Sequence, residues 1–403
     1  MKTIFSTFPS GCGDCLFIVI KDEDGGSQYS IMTDCGSLTD DIKSYIRNEL
    51  QMTIDMLIVT HIDGDHVNGV TKLLLDPNFV QLRIGKILFN CFQSQPNAER
   101  QPLDETTNAL IKAMQRKLPP LEDRTTGKTN SPEAACLANA IMKNESWNAV
   151  WEKEQITTGY TVLLDKEKHY GDVFILSPDG QRLKDLVTVF KSEFKKWTRS
   201  EFPGYDVLNQ EELFQQIITL ANAKMMPKNN NKTNATINLL KDLQIAEAEK
   251  ADEEGITKSN CASLSYACIV DGKIEVLVLG DAPSSDVLKG LEYYNIQTPI
   301  IVPVVKMSHH ASKHNTNAEF VEKIDSPHWF ITGGNKEDRP SLEAIAKVVM
   351  KPLKEGIQER TIHVNKPNIQ TKRLTNATAA KIKYGHENEM YNVGLNPKEV
   401  ECL

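Results

Sequence analysis

The sequence lacks the features that mark several large classes of protein. Among its 403 residues, no apolar run approaches the roughly 18 residues that a membrane span needs. The first segment, MKTIFSTFPSGCGD, has neither the long apolar stretch nor the small-residue cleavage site of a secretory signal peptide. No internal repeat is visible, which argues against a repeat architecture. We therefore expect a cytoplasmic protein that does not associate with membranes.

Zinc-finger cysteine spacing is also missing. Cys12 and Cys15 form one CxxC pair, but none of the eight cysteines supplies a second pair to complete it. Cys15, Cys35, Cys261 and Cys268 lie in or beside apolar runs that resemble strands. This placement favours buried free thiols over disulfide or metal roles.

The sequence has no surplus of positive charge. It contains 46 lysines and arginines against 54 aspartates and glutamates, a net charge of −8. This balance argues against a broad basic surface for duplex DNA. It does not exclude nucleic acid from a site where metal ions supply the positive charge. The hydrophobic content of 40% and the charged content of 25% are ordinary for a globular protein.

The most informative stretch is residues 55–69, DMLIVTHIDGDHVNG. Its apolar beginning, residues 56–59, predicts a short buried strand. Four potential metal ligands follow within six residues: His61, Asp63, Asp65 and His66. A strand that leads into a loop with two imidazoles and two carboxylates predicts a site for zinc, manganese or iron.

Alternating apolar runs and turn residues predict strands in both halves of the chain. Hairpins are expected from 15–20 with 29–33, and over 263–281 with a turn at the DGK step. Further strands are expected at 84–89, 171–176, 300–306 and 328–332, and in the C-terminal tail. Helices are expected at 38–50 with Thr39 or Asp40 as N-cap, at 70–75, over most of 95–170 and at 341–351. This order favours two stacked sheets with helices outside.

Residues 183–257 have the pattern of an insertion. Two segments with helical periodicity are followed by the polar stretch PKNNNKTNAT and the charged run IAEAEKADEEG. This pattern predicts a helical pair on the surface with a mobile linker at 228–236. A functional lid, or an element that separates strands of nucleic acid, is the alternative interpretation.

Three later stretches add polar residues at strand ends. Asp281 follows the apolar run VLVLG, and His309 and His310 follow VVKMS. Asn260 and Ser263 precede a further strand in SNCASLSYACIV. Each feature alone is common in turns or half-buried structure. Their shared position at strand ends favours a single metal site.

These motifs together resemble the metallo-β-lactamase superfamily, whose signature is His-x-His-x-Asp-His. Asp63 stands at the second histidine, and this variant is similar to the soluble hydrolase domain of ComEC-type DNA-uptake proteins. GCGDCLFIV and IMTDCGS are similar to the first two strands of that family, although Asp34 could simply cap a turn. HHASK resembles a His-His-Gly-Ser-Lys motif with Ala311 in place of glycine. The resemblance covers residues 1–90, 171–182 and 258–350.

The resemblance implies an α/β fold, specifically a four-layer αββα sandwich formed by a single domain over 1–403 with the helical insertion inside it. It implies two divalent metal ions, zinc or manganese, with magnesium as a further option. The implied ligands are His61, Asp63, Asp65, His66, Asp281, and His309 or His310. The resemblance does not show which of the last two histidines faces the metal. The implied catalytic residues are Asp65, Asp281 and Lys313, and the implied substrate contacts are Asn260, Ser263, Ser312, Lys313 and His314.

One departure concerns a Gly-His-Pro motif that relatives often carry after the strand at 328–332. Here the sequence reads Asp338-Arg339-Pro340, so an imidazole is missing. Arg339 could hold a phosphate or could be an ordinary surface arginine.

The resemblance implies hydrolysis by a metal-activated water, most readily of DNA phosphodiesters and with single-stranded DNA favoured. The alternatives are hydrolysis of a small ester, lactam, thioester or lactone, and a non-catalytic subunit or sensor stabilised by metal. A protein partner encoded nearby and a role in antiviral defence are further hypotheses from the resemblance. The sequence leaves the oligomeric state open.

Overall fold

The computed structural model describes residues 1–23, 27–91, 131–165, 170–198, 239–334, 338–357, 359–366, 368, 370–372, 374, 392–394 and 400–402. These residues form a mixed α/β structure with two large sheets. The expected α/β class is therefore confirmed. No helix in these ranges combines the length and apolar character needed to cross a membrane.

The first sheet contains six described strands in the order β16-β1-β2-β3-β4-β5. Their bounds are β1 (Lys2–Thr7), β2 (Leu16–Lys21), β3 (Gln28–Thr33), β4 (Thr53–Val59), β5 (Arg83–Phe89) and β16 (Val400–Cys402). Strands β2 and β3 form the expected antiparallel hairpin, while β3, β4 and β5 run parallel. Strand β1 was not expected, and it covers the free edge of β2.

The second sheet has the order β15-β14-β13-β11-β9-β8-β7-β6. Its strands are β6 (Thr161–Leu164), β7 (Gly171–Ser177), β8 (Ser265–Val270), β9 (Lys273–Val278), β11 (Val304–Lys306), β13 (His328–Ile331), β14 (Thr361–Val364) and β15 (Asn392–Gly394). Strands β8 and β9 form the second expected hairpin. From β9 to β15 the neighbouring strands are parallel.

The single strand expected at 300–306 is wrong. The segment forms two short strands, because Pro303 between them has no N–H to donate to a sheet. Strand β10 (Ile300–Ile301) pairs with β12 (Ile324–Asp325), and only β11 joins the large sheet.

The helices are α1 (Asp40–Asn48), α2 (Gly64–Leu75), α3 (Ser131–Lys143), α4 (Glu145–Val150), α5 (Gly180–Thr198), α6 (Leu239–Ala248), α7 (Lys258–Cys261), α8 (Ser284–Tyr293), α9 (Ala318–Lys323) and α10 (Leu342–Val349). Thr39, one of the two expected caps, accepts the backbone N–H of Ile42 at the start of α1. The expectation of a helix over most of 95–170 is correct for α3 and α4 but missed β6. The helical pattern at 106–118 lies outside the described residues.

Two described parts of the insertion expected at 183–257 are helical. Helix α5 covers the first of the two segments with helical periodicity, whereas the second, 211–226, lies outside the described residues. Helix α6 was not expected, and residues 249–257 after it are mostly irregular, with one short 3-10 helix at Glu253–Gly255. The remainder, including the linker expected at 228–236, lies outside the described residues.

The buried apolar side chains form three clusters that follow the two-residue alternation of the strands. Leu16 and Ile18 share one cluster with Tyr266 and Val276, so this cluster joins the two large sheets. The intervening Phe17 packs instead with residues of α1 to α4. A third cluster joins the other face of the second sheet to α6, α8, α9 and α10.

The four cysteines expected to be buried thiols are buried and form no disulfide: Cys15, Cys35, Cys261 and Cys268.

Candidate metal centre

Five strands of the two sheets deliver polar side chains to one place. Strands β3 and β4 of the first sheet end just before Asp34 and the segment containing His61. Strands β9, β11 and β13 of the second sheet end just before Asp281, the histidine pair at 309–310, and Thr332. The carboxyl ends of parallel strands lie at the same edge of a sheet, where open α/β sheets commonly bind ligands. Packing the two sheets together brings these edges into contact.

The segment after β4 supplies the first half of the centre. His61 and Asp63 lie in the short connection, and Asp63 occupies the N-cap position of α2. Asp65 and His66 lie in the first turn of that helix. The sequence-based expectation that all four donors lie in a loop, with the next helix beginning at Val70, is therefore wrong. The helix begins at Gly64, which fixes the directions of Asp65 and His66.

Asp281 directs its two carboxylate oxygens at different histidines. Its Oδ1 lies 3.6 Å from Nε2 of His66, and its Oδ2 lies 3.7 Å from Nε2 of His61. The backbone N–H of Asp281 donates to Oγ of Ser263 at 3.0 Å, which holds the carboxylate in this position. Asp281 is therefore placed between the two histidines of the first half.

His310 faces Asp65 on the other side of His66. Nε2 of His310 lies 3.4 Å from Oδ2 of Asp65, whose Oδ1 lies 4.0 Å from Nε2 of His66. The Nδ1 of His310 lies 2.7 Å from the carbonyl oxygen of Thr332. Because a carbonyl only accepts, Nδ1 carries the hydrogen and the Nε2 of a neutral ring presents its lone pair to the cluster.

Asp34 sets the orientation of His66. Its Oδ2 lies 2.8 Å from Nδ1 of His66, so Nε2 is directed at the cluster. Asp34 also accepts the backbone N–H and the hydroxyl of Thr60, both at 2.7 Å. The carboxylate therefore both caps a backbone N–H, as one alternative proposed, and orients a histidine. Carboxylates that bind the distal nitrogen of a histidine ligand commonly serve this purpose in metal sites.

His309 has a different environment from its neighbour. Nδ1 of His309 lies 3.0 Å from Oδ1 of Asn315, and Nδ2 of Asn315 donates to the carbonyl of Asp281 at 2.8 Å. The asparagine oxygen is therefore the acceptor, which assigns the hydrogen of His309 to Nδ1. Nε2 of His309 lies 3.5 Å from Oδ2 of Asp281 and accepts from the guanidinium of Arg339.

The pKa directions agree with these different environments. Burial would lower the pKa of His310, but Asp14 and Asp65 outweigh it and raise the pKa to about 9. Burial lowers the pKa of His309 to about 4, assisted by the positive charge of Arg339. The pKa values of the two adjacent histidines are therefore shifted in opposite directions.

The carboxylates and the central histidine form one coupled set of charges. Burial would raise the pKa of Asp281, but His309, His66 and His61 lower it well below its usual range. Burial would lower the pKa of His66, but the charges of Asp281 and Asp34 raise it well above its usual range. Protons on imidazoles thus balance the carboxylates here, and a bound cation would displace them.

The donor atoms have the geometry of a site for cations. Two groups of three lie close enough to hold an ion: His61, His66 and Asp281, and Asp65, His66 and His310. Within the described residues, no hydrogen-bond partner reaches the buried Nε2 atoms of the three histidines, Oδ1 of Asp63 or Oδ1 of Asp281. Ligand atoms around one zinc ion lie about 3.3–3.6 Å apart, close to the separations observed here. Buried His and Asp side chains at this place could therefore bind metal.

A third group, Asp14, Asp34 and His66, fits a cation less well. Asp34 is already committed to Thr60 and to the Nδ1 of His66. Asp14 is paired with the ammonium of Lys306 and accepts the hydroxyl of Thr332 at 2.5 Å. The two carboxylates of this group therefore hold neighbouring residues of the cluster in place.

Asp14 and Lys306 are site residues that the sequence analysis missed. Lys306 is fully buried, pairs with Asp14 and donates to the carbonyl of Gly280 at 3.1 Å. Burial would lower the pKa of Lys306, but Asp14 outweighs it and raises the pKa. Two features of the sequence could have indicated these residues: the Gly13-Asp14 pair before β2, and Lys306 at the end of an apolar run. A lysine that is buried in such a run requires a partner of opposite charge.

The expected substrate contacts fall into two sets. Asn260 directs its Nδ2 at Nε2 of His309, 3.2 Å away, and Ser263 is buried beneath Asp281. Ser312, Lys313 and His314 instead line a cavity of about 640 Å³ beside the cluster. Helix α6 forms one wall of this cavity through Asp242, Ile245 and Ala246, and Glu249 just after the helix extends that wall. Ser263 therefore lies in the support of the cluster, away from the cavity.

Arg339 lies between the cluster and the cavity. Its guanidinium donates to Nε2 of His309 and lines the same cavity as Lys313. It is therefore part of the site, unlike the ordinary surface arginine that was one of the two alternatives.

No known protein-family profile matches the chain, and a search of curated proteins gives no significant match.

Proposed function

We propose that this protein is a metal-dependent hydrolase with a metallo-β-lactamase-type architecture. Its support is the arrangement of the three apolar clusters: one joins the two sheets, and the other two each join one sheet to helices. That arrangement is what a four-layer αββα sandwich requires. The motifs on the strand ends also follow the order found in that superfamily.

Two neighbouring cation positions share the cluster in this proposal. His61 and Asp63 would hold one cation, and Asp65, His66 and His310 would hold the other. Asp281 lies between these two sets of residues. The observation that carries this proposal is the carboxylate of Asp281, whose two oxygens face two histidines with unpartnered Nε2 atoms.

Two bound divalent cations would supply Lewis acidity and lower the pKa of a water to near neutral. The protein side chains hold and orient the reacting groups. Asp34 keeps His66 in place, and the carbonyl of Thr332 does the same for His310. Asn260 presents an amide N–H next to Asp281, where it can donate to an oxygen of the substrate. Lys313 in the cavity can provide positive charge to a leaving oxygen.

The proposed reaction is hydrolysis of a phosphodiester in DNA, with single-stranded DNA favoured. The ComEC-type motifs support this choice. Two cationic side chains in the cavity, Lys313 and Arg339, also suit phosphoryl oxygens. With a net charge of −8, attraction for a phosphate would come from the site and not from the surface as a whole.

Hydrolysis of a small ester, lactam, thioester or lactone is the second candidate. It is favoured by the carboxylates that line the cavity: Asp242, Glu249, Asp338 and Glu343. These negative charges oppose a long polyanion more than they oppose a small neutral substrate.

The test is to incubate purified protein, stripped of metal and reloaded with zinc, manganese or magnesium, with labelled single- and double-stranded DNA. Chromogenic esters and lactams are assayed in parallel. Metal-dependent DNA cleavage supports the first proposal, and turnover of the small substrates alone supports the second. Failure with all substrates, together with a stable partner on pull-down, would favour a non-catalytic subunit.

A further inference from the structure

The contact between Arg339 and His309 points to a role in substrate recognition. We propose that Arg339 is a specificity-determining residue that binds an anionic oxygen of the substrate, most readily a phosphoryl oxygen, at the inner end of the cavity. This inference rests on the proposed hydrolase function and adds a preference for phosphoryl over neutral acyl substrates.

The hydrogen bonds around His309 determine how Arg339 is held. Because Asn315 accepts from Nδ1 of His309, the Nε2 of a neutral ring is an acceptor, which is the role that an arginine donor needs. A neutral imidazole can orient a guanidinium without placing a negative charge beside it, whereas a carboxylate in the same place would add one. His309 is thus suited to positioning a cationic side chain.

The position of this pair connects the cluster to the cavity. Nε2 of His309 lies 3.5 Å from Oδ2 of Asp281, and the same ring lines the cavity. The guanidinium of Arg339 contacts His309, and His309 in turn contacts the carboxylate of Asp281. An anion bound by Arg339 would therefore lie at the side of the cavity formed by His309, the ring next to Asp281.

The other charged side chains of the cavity also affect the preference for phosphoryl over neutral acyl substrates. Lys313 is the second cationic side chain in the lining, and it is exposed. Four carboxylates also line the cavity and oppose a long polyanion, so an anion is favoured only close to Lys313 and Arg339. This distribution suits one phosphoryl group held by a planar guanidinium, which can form paired hydrogen bonds with two oxygens.

The experiment measures binding of inorganic phosphate to metal-loaded protein by titration calorimetry, with metal content determined on the same samples. The variants are Arg339→Gln, which removes the charge, and Arg339→Lys, which keeps the charge but loses the fork of donors. Arg83→Gln is the matched control, because Arg83 is exposed at the start of β5, at the opposite end of the sheet from the cluster. KM for a chromogenic phosphodiester is measured alongside.

We expect Arg339→Gln to weaken phosphate binding about tenfold or more, since a charge-assisted hydrogen bond is lost. Arg339→Lys should be intermediate and Arg83→Gln unchanged, with equal metal content in all four proteins. Phosphate binding that is absent in the unsubstituted protein, unchanged in Arg339→Gln, or lost only in step with metal would overturn the inference. Phosphate binding through Arg339 without hydrolysis of any substrate would instead refute the proposed function and leave this inference standing.

Discussion

The two halves of the candidate metal centre are built in different ways. The first-sheet half takes its four donors from residues 61–66, on one connection and the first turn of α2. The second-sheet half takes Asp281 from the end of β9 and the histidine pair from the end of β11, 28 positions later. The first half is therefore local in sequence, whereas the second exists only because β9 and β11 are adjacent in the sheet.

The second half also requires more support from its surroundings. His309, His310 and Ala311 all adopt the left-handed conformation, with φ of 48°, 55° and 58°. Each non-glycine residue in that region costs about 1–2 kcal/mol. Hydrogen bonds from His309 N–H to Gly280 and from Ser312 N–H to His309 hold this backbone, above the buried pair of Lys306 and Asp14. Both halves therefore use left-handed backbone and buried charge, but at different places: the second half at the histidine pair itself, the first half at Asp34 (φ 56°), which lies outside the 61–66 segment and orients His66.

The largest expected effect comes from removing the residue that links the halves. Asp281→Ala should reduce hydrolysis by at least about a thousandfold, because a lost charge of this kind costs about 4 kcal/mol in the transition state. Asp65→Ala, in the first half, should cause a loss of similar size while remaining folded, since Asp65 is only partly buried. Steady-state rates with circular dichroism as the folding control measure this. Full activity in both variants would refute the metal mechanism.

Separate substitution of His309 and His310 distinguishes the roles of these two residues in the second half of the centre. His310→Ala should remove a ligand and lower the metal content from two ions to about one, since Nε2 of His310 faces Asp65. His309→Ala should keep both ions, because its Nε2 accepts from Arg339. Elemental analysis after dialysis against trace chelator compares the two. Equal metal loss in both variants would contradict the division of roles.

A smaller effect is expected from substitution of Asp34, which orients His66 in the first half of the centre. Asp34→Asn should weaken metal binding about 10- to 100-fold, the usual cost of losing the partner that orients a histidine ligand. Competition with a fluorescent chelator measures the affinity. Asp55→Asn is the matched control, because Asp55 binds Ser30 in the same sheet away from the cluster. If the two variants have the same affinity, Asp34 does not position His66.

The smallest expected effect concerns metal choice. Asp63 gives the first half an oxygen donor where the superfamily signature has a nitrogen, and carboxylate-rich sites shift preference towards harder ions. We expect stripped protein to recover several-fold more activity with manganese than with zinc. Asp63→His should narrow this gap by restoring the nitrogen ligand. Titration of both metals with single-stranded DNA as substrate is the measurement, and better rescue of the unsubstituted protein by zinc would contradict the ligand argument.

Local patterns in the sequence were sufficient for most strands and for the residues of the first half. The runs around 56–59 and 84–89 are apolar and β-branched, and they form β4 and β5 close to the expected positions. The N-cap role of Thr39 was also among the expected alternatives. These features depend on neighbours within a few positions, so the sequence carries them directly.

Errors arose where a residue's role depends on distant parts of the chain. Helix α2 begins at Gly64, six positions before the expected start, because Asp65 and His66 of the candidate ligand segment belong to its first turn. Strand β6 was missed because its four residues become a strand only by pairing with β7. Asp14 and Lys306 lie 292 positions apart, and neither has a local pattern that predicts the other.

Residue types and local patterns were enough to predict which side chains could bind a cation and that they would follow strands, since both properties are local. The folded arrangement alone places His310 against Asp65 and His309 against Arg339, because the left-handed backbone at these adjacent residues directs their rings differently. It also decided that Asp281 lies between His61 and His66, because that position depends on how the two sheets pack through a shared apolar cluster. Contacts between residues that lie hundreds of positions apart depend on that packing, and no short stretch of sequence predicts them.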